Sequence, residues 1–362
     1  MKKKMNALLL LFALMALAAG CSTKEKLPES ANTTTQTKEE QEVDQNKVKL
    51  GMIEPFAYSN IEGLNVKEGS YISIIGRSTS SAYWKEVQAG AKQAVADLNE
   101  KKGFEGKDKV KLVYSAPTDL NDVDQQINIL DEEMARYPVA IAIAPADRKA
   151  FEVQFDLATE NNIALVTFDT GSEYKGIMSH IGTDNREAMK QIVENLDKKL
   201  EEKAKVLIVS GDDKLLNEEE RRNLAKELLG ESSKKYEIME PVLIEQIKED
   251  EKSLADIIKE TKDLKGIITT GDLATSEVAT LLQEEESKDI NVFGFDTARS
   301  TDEAIKEGYI DGVIEQNPYA MGYSSVVAAL RASLDMGNEA KVNTGFIWLT
   351  KKNVAKEENR LY

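Results

Sequence analysis

Residues 71–98 read YISIIGRSTSSAYWKEVQAGAKQAVADL. Tyr71-Ile72-Ser73-Ile74-Ile75 is a short apolar run, the pattern of a strand covered on both faces. A polar turn follows. From Tyr83 to Leu98 the residues Trp84, Val87, Ala91, Ala94, Val95 and Leu98 then recur at helical spacing. The stretch is one strand–turn–helix unit, and the rest of the chain repeats it.

Working outward, strands are predicted over 110–114, 139–144 and 163–168, with a short one over 178–182. Helical periodicity falls between them, over 121–134, 147–159 and 185–200. The rhythm continues with strands over 205–210, 266–270, 292–295 and 310–314, and an extended stretch over 236–244. Helices are predicted over 217–229, 252–261, 272–282, 301–306 and 318–334. Pro318 sits in the first turn of the last of these, where a missing N–H costs nothing. Strands alternating with crossover helices imply parallel sheets covered on both faces. The units outnumber what one sheet holds comfortably, so the expected fold class is α/β with two doubly wound parallel-sheet lobes.

In open parallel sheets, ligands bind beyond the carboxyl ends of the strands. The residues there are 78–84, 145–147, Asp169 and Thr170, 211–213, Gly271 and Asp272, Asp296, and 315–317. The set is polar and acidic and carries two aromatics. It suits a small hydroxylated ligand, gripped by carboxylates and stacked on Tyr83 or Trp84.

The N-terminal segment sets the compartment. Lys2, Lys3 and Lys4 precede the apolar run 8–17, and Ala18, Ala19 and Gly20 lead to Cys21. This is the order of a secretory signal, 1–20, and its run of about ten apolar residues is too short to span a bilayer, which takes roughly twenty. Residues 17–21 resemble the lipobox of bacterial lipoproteins, which implies lipidation of Cys21. Cys21 is the sole cysteine, so no internal disulfide forms, and lipidation accounts for both its solitude and its position. Residues 21–47, rich in Thr, Lys, Glu, Gln and Asn, read as a flexible tether. The expected location is the extracytoplasmic face of the cell membrane, held by lipid.

The chain has a net charge of −17, and loss of 1–20 removes three lysines and no acid. Such a surface excludes nucleic acid, whose phosphates need clustered Lys and Arg, and broad contact with an anionic bilayer. No metal-ligand spacing appears, the folded part has no cysteine, and His180, the sole histidine, sits mid-strand in what reads as a structural role. No cofactor, metal or catalytic residue is expected, and an enzyme is not.

The segments Ala82-Tyr83-Trp84 running on to Gly90-Ala91, Val166-Thr167-Phe168-Asp169, Ser179 through Asn185, Val292-Phe293-Gly294-Phe295-Asp296, and Gly308-Tyr309 through Ile314-Glu315-Gln316-Asn317-Pro318 occur in this order. In them the chain resembles the type I periplasmic binding proteins, the ribose-binding-protein-like sugar receptors, over about residues 70–345. The resemblance implies two lobes, 48–184 plus 317–344 and 185–316 plus 345–362. It also implies a hinge of three crossings near Asp184-Asn185, Gln316-Asn317 and Thr344. It carries sugar-sandwiching aromatics onto Tyr83 and Trp84, with Ser81 ahead of them where the family often has asparagine. Pocket positions fall on Asp169 and Thr170, on Arg222 (or Arg221, one register step away), on Gly271-Asp272, on Asp296 and on the hinge glutamine Gln316. Thr170 replaces an arginine, and Ser81 and Gly271 replace amides, so fewer donors remain than the family uses for ribose. Residues 48–67 have no counterpart and suggest an added edge strand.

The function these readings imply is a monomeric solute-binding lipoprotein that closes on a small polar ligand, a monosaccharide first, and delivers it to an ABC importer. Two alternatives stay open: a receptor signalling to a membrane histidine kinase, and a binder of a non-sugar solute. A repressor of the same fold is opposed by the leader and by the lack of a basic reading helix.

Overall fold

The computed structural model describes residues 38–247, 253–296, 301–356 and 360–362. The signal segment, Cys21 and the first part of the expected tether lie outside the described residues. The remainder of that tether is not extended. Helix α1 covers Lys38–Gly51. Glu, Gln and Lys are good helix formers, and Lys49 in the last turn suits the helix dipole. Polarity alone therefore misread these residues.

The first half of the chain continues with β1 (Tyr71–Ile75), α2 (Ala82–Lys102), β2 (Lys111–Ser115), α3 (Val123–Met134), β3 (Ala140–Ile143), α4 (Glu152–Glu160), β4 (Ala164–Phe168) and β5 (His180–Gly182). The second half runs through α5 (Asn185–Lys199), β6 (Lys205–Ser210), α6 (Leu216–Glu231), β7 (Glu237–Ile238), β8 (Val242–Leu243), α7 (Ile244–Ile247), α8 (Leu254–Glu260), β9 (Leu264–Thr269), α9 (Asp272–Glu284), β10 (Asn291–Phe295), α10 (Asp302–Glu307) and β11 (Gly312–Gln316). It ends with α11 (Pro318–Ser333), β12 (Lys341–Asn343) and β13 (Phe346–Leu349).

The expected α/β architecture of two parallel sheets is present. One sheet has the order β12-β5-β4-β3-β1-β2. The other has the order β13-β11-β10-β9-β6-β7, with β8 also on β6. Among the strands of the described residues, only β13 runs antiparallel, against β11. The stretch 236–244 is thus two short strands, each on β6, followed at once by α7. The chain passes from one sheet to the other after β5, after β11 and between β12 and β13. The last of these turns needs Gly345, whose φ is +72°.

Alternate strand residues face opposite ways, so each sheet has two cores. In the first lobe Ile72, Ile74, Val166 and Phe168 pack under α2 and α11. Ile75, Ile141, Ile143 and Leu165 pack on the other side, against Phe151 and Phe155. In the second lobe Leu207, Val209 and Ile267 meet α9, while Val206, Ile208 and Phe293 meet α5 and α6. Each fully buried large side chain contributes roughly 1.5–3 kcal/mol. Helices α2 and α11 touch backbone to backbone. A Cβ on Gly90 would lie 1.9 Å from the Tyr319 carbonyl oxygen, and one on Gly322 would lie 1.9 Å from that of Val87. This contact holds the first lobe's two central helices at glycine distance.

Residues 48–67 add no edge strand. They make one isolated antiparallel bridge, Glu54 to Asn343. Their apolar residues Ile53, Tyr58, Ile61 and Leu64 sink into the core beneath α11 instead. The irregular spacing of those residues fits core filling better than a pleated edge.

Candidate functional site

Asp169 is the first residue past β4, and Asp296 the first past β10. Both are left-handed, with φ of +61° and +59°, a conformation that Asp adopts more readily than most residues. The turn lifts each carboxylate off its strand end. Both are buried, with 5% and 8% exposure.

At the first-lobe end, Asp169 Oδ1 accepts from the Tyr83 hydroxyl at 2.7 Å and Oδ2 from Arg77 Nη2 at 3.1 Å. Arg77 also donates to Asn121 Oδ1 at 2.8 Å and lies over the Trp84 ring, 5.3 Å from its centroid. At the second-lobe end, Asp296 Oδ2 accepts from Gln316 Nε2 at 2.7 Å, and Arg221 Nη1 lies 4.0 Å away. Asp296 Oδ1 has no hydrogen-bond partner, and neither do Thr170 Oγ1 and Arg77 Nε. Unpartnered buried polar atoms are rare in native proteins. Three of the seven such atoms among the described residues lie at these strand ends, where a polar guest can meet them.

The two ends share one electrostatic environment. Burial first, then the Asp169 and Asp296 charges, push the Tyr83 phenol well above its usual range. Burial pushes the Asp296 carboxyl up to about 7. Arg221 opposes that rise, while Asp272 and Asp169 add to it. The lobes also touch directly. The Arg148 N–H donates to the Lys214 carbonyl at 3.1 Å, its guanidinium pairs with Glu219, and Asn217 Nδ2 donates to the Asp169 carbonyl at 3.4 Å.

The residues expected at the site divide in two. Tyr83, Asp169 and Asp296 stand as described, and Thr170 follows Asp169 in the chain, buried with its hydroxyl unpartnered. Asp272 is exposed at the start of α9, and its charge is felt at Asp296. Gln316 is engaged at both ends of its amide. Its Oε1 accepts from Thr183 and Arg221, both at 2.8 Å, so it ties the first crossing to the second.

Three residues have other work. Ser81 is exposed and caps α2, accepting from the Trp84 N–H at 3.3 Å. Trp84 is 4% exposed, packed edge-on to Phe168 and covered by Arg77, so its ring belongs to the first-lobe core. Arg222 is half-buried and reaches Ser210. Arg221 is the arginine at Asp296: its Nε donates to Asn185, its guanidinium reaches the Thr270 carbonyl and Gln316, and it stacks 4.0 Å over Phe295. One helical step separates the two arginines, and only the buried face of α6 points inward.

Sequence reading missed Arg77, Arg148 and Glu218. Arg77 and Arg148 sit within a few residues of strand ends, where the strand-end rule applies. Glu218 accepts from the Gly211 N–H, Ser210 and Thr270. A Cβ on Gly271 would come within 2.7 Å of it, which explains a glycine where the resemblance suggests an amide. His180 lies 3.0 Å from Thr167 Oγ1, and burial lowers it to about 4, so it is a neutral structural group.

The chain is 22% identical over 267 residues to the D-ribose/D-allose-binding protein of Pseudomonas aeruginosa, covering 72% of this chain and 81% of that protein. Its fold is similar to that of a carbohydrate transporter solute-binding protein from Agrobacterium radiobacter in complex with D-arabinose (TM-score 0.66, 25% identity, 79% of this chain and 96% of that one). It is likewise similar to an ABC transporter solute-binding protein from Agrobacterium vitis with bound D-fucose (TM-score 0.68, 23% identity, 81% and 100%). Residues 72–337 match the periplasmic binding protein domain, and the chain belongs to that family.

Proposed function

We propose that this protein is an extracytoplasmic receptor that binds a monosaccharide between its two lobes, carries out no catalysis, and hands the sugar to an ABC importer. The observation that supports this most is that Tyr83 and Asp169 of the first lobe are hydrogen-bonded to each other and lie close enough to Asp296 of the second lobe for its charge to act on the Tyr83 phenol. Carboxylates accept from sugar hydroxyls, and Arg77 and Arg221 donate while offsetting Asp169 and Asp296. Such a balance suits a neutral polyol better than a cation. The relatives with D-arabinose and D-fucose bound support the same class of ligand.

Hinge motion follows from the three crossings. A ligand touching both lobes binds the closed form better and shifts the population toward it. Cys21, lipidated, would hold the receptor at the membrane as a monomer.

Calorimetry tests the sugar reading with D-ribose, D-allose, D-arabinose, D-fucose and D-galactose. One or more should bind one-to-one, and Asp169→Asn should lower its affinity about tenfold or more, the loss of a charge-assisted hydrogen bond. Binding of cationic amines alone would overturn the sugar reading.

A further inference from the structure

The segment Arg360-Leu361-Tyr362 is fastened to the second lobe. Arg360 Nε donates to Glu315 Oε1 at 2.7 Å and its Nη1 to Asp302 Oδ2 at 2.6 Å. The Leu361 N–H donates to Glu315 Oε2 at 2.6 Å. Glu315 is fully buried on β11, directly before Gln316, and Leu361 is 4% exposed. Two buried charges and a backbone bond therefore set the direction in which the next residue leaves. That residue, Tyr362, lays its ring against Tyr83 of the first lobe, centroids 5.4 Å apart and planes at 85°. Tyr83 is the ring whose hydroxyl binds Asp169.

The strand ends of the second lobe, at 211–213, 271–272, 296 and 316–317, carry no aromatic side chain. A ring face is what an apolar patch of a sugar packs on, and a lobe without one holds the ligand by polar contacts alone. We propose that Tyr362 is a ligand-binding residue: it gives the second lobe its aromatic wall opposite Tyr83, and the Arg360–Glu315–Asp302 clamp positions it. The inference rests on the receptor reading above and names a specificity determinant within it. The ring rests edge-on against Tyr83, so a ligand that enters there parts the two rings, and the clamp sets how far Tyr362 gives way. The wall therefore discriminates among monosaccharides by the substituents on the face they turn to it.

The test uses the full chain and two variants. Tyr362→Ala removes the wall and keeps the clamp. Glu315→Gln with Arg360→Gln removes the clamp's main ion pair together, without stranding a buried charge on Glu315, and keeps the tyrosine. Calorimetry runs each against the five sugars above and against adenosine, glutamine and putrescine. Tyr362→Ala should weaken the best-bound solute by about tenfold, the upper range for one aromatic contact, and reorder the others. The double variant should weaken it in the same direction while its circular dichroism stays native. Unchanged affinities and ranking in Tyr362→Ala overturn the inference, as does tighter binding, which would make the ring a plug. If a non-sugar solute binds instead, the sugar reading falls while Tyr362 is judged on that solute. A panel without any binder removes both.

Discussion

Asp169 and Asp296 occupy matching places in the two lobes, each one residue past a central strand and each left-handed, yet their surroundings differ. Both oxygens of Asp169 are taken, by Tyr83 and Arg77. Asp296 has one oxygen held by Gln316 and the other unpartnered, and its arginine stands 4.0 Å away. The first lobe's carboxylate is therefore fully engaged before any ligand arrives, with open valences left only at its neighbours Arg77 Nε and Thr170 Oγ1. The second lobe's carboxylate is itself half open, and it is wired through Gln316 to Thr183 and so to two crossings of the hinge. A guest that supplies the missing donor to Asp296 completes a network already connected to the closing element. Coupling of this kind needs only that the donor be present in the closed form and absent in the open one.

The contrast predicts opposite consequences for the same kind of change. Asp169→Ala leaves Arg77, whose side chain is 13% exposed, without its carboxylate partner beside the half-buried Tyr83. Removing one partner of a buried pair costs about 3–5 kcal/mol, so urea unfolding at pH 7.5 should show a loss near that size. A loss below about 1 kcal/mol, the range of a surface pair, would mean that the first half-site is not prebuilt. Arg221→Met should come next, costing on the order of 2–4 kcal/mol, because it leaves Gln316, Asn185 and the Thr270 carbonyl short of a donor. If its stability matched the parent, Arg221 would not be the hub that joins Asp296 to the hinge.

Asp296→Asn should behave the other way. The carboxylate there is buried without full compensation, so the amide should leave the unliganded protein equally stable at pH 8 or more stable by about 1 kcal/mol. Affinity for the sugar should fall nonetheless, since the charged acceptor is gone. A destabilisation as large as that of Asp169→Ala would erase the distinction between the lobes.

Much of this was readable beforehand. Alternating apolar runs and helical periods gave both sheets, because a covered parallel strand and an amphipathic helix leave strong local patterns. The strand-end rule reached Asp169 and Asp296 for the same reason. What failed was orientation. Trp84 stands next to Tyr83 in sequence, but consecutive helix positions diverge by about 100°, and the inward one joined the core. Arg222 and Arg221 differ in the same way. Residues 48–67 and 360–362 escaped because their contacts are tertiary: Tyr58 meets α11, and Arg360 meets Glu315, across distances that no local window spans. Helix α1 was hidden by its polarity, which describes a tether and a charged helix equally well.

The smallest effect concerns protons, and it separates the lobes without any loss of fold. Burial raises Asp296 from 3.8 to about 7. Between those values the folded chain holds a proton that the unfolded chain has released. Stability from this group is therefore complete below about pH 4 and declines as pH rises through 7. Glu315 is raised from 4.5 to about 7, also chiefly by burial, with Arg360 opposing, and contributes a slope of the same sign. Asp296→Asn should thus flatten the fall in stability between pH 5 and 8 without abolishing it. A hydroxyl donated to Asp296 Oδ1 favours the ionised carboxylate and lowers its pKa. Sugar binding at pH 6.5 should then release a fraction of a proton, seen as a binding enthalpy that differs between phosphate and imidazole buffers. Asp296→Asn should remove that difference, whereas Asp169→Asn, at a carboxylate already engaged on both oxygens, should weaken binding and leave the release in place. Proton release that survives in Asp296→Asn would move the ligand's contact away from the second-lobe strand end.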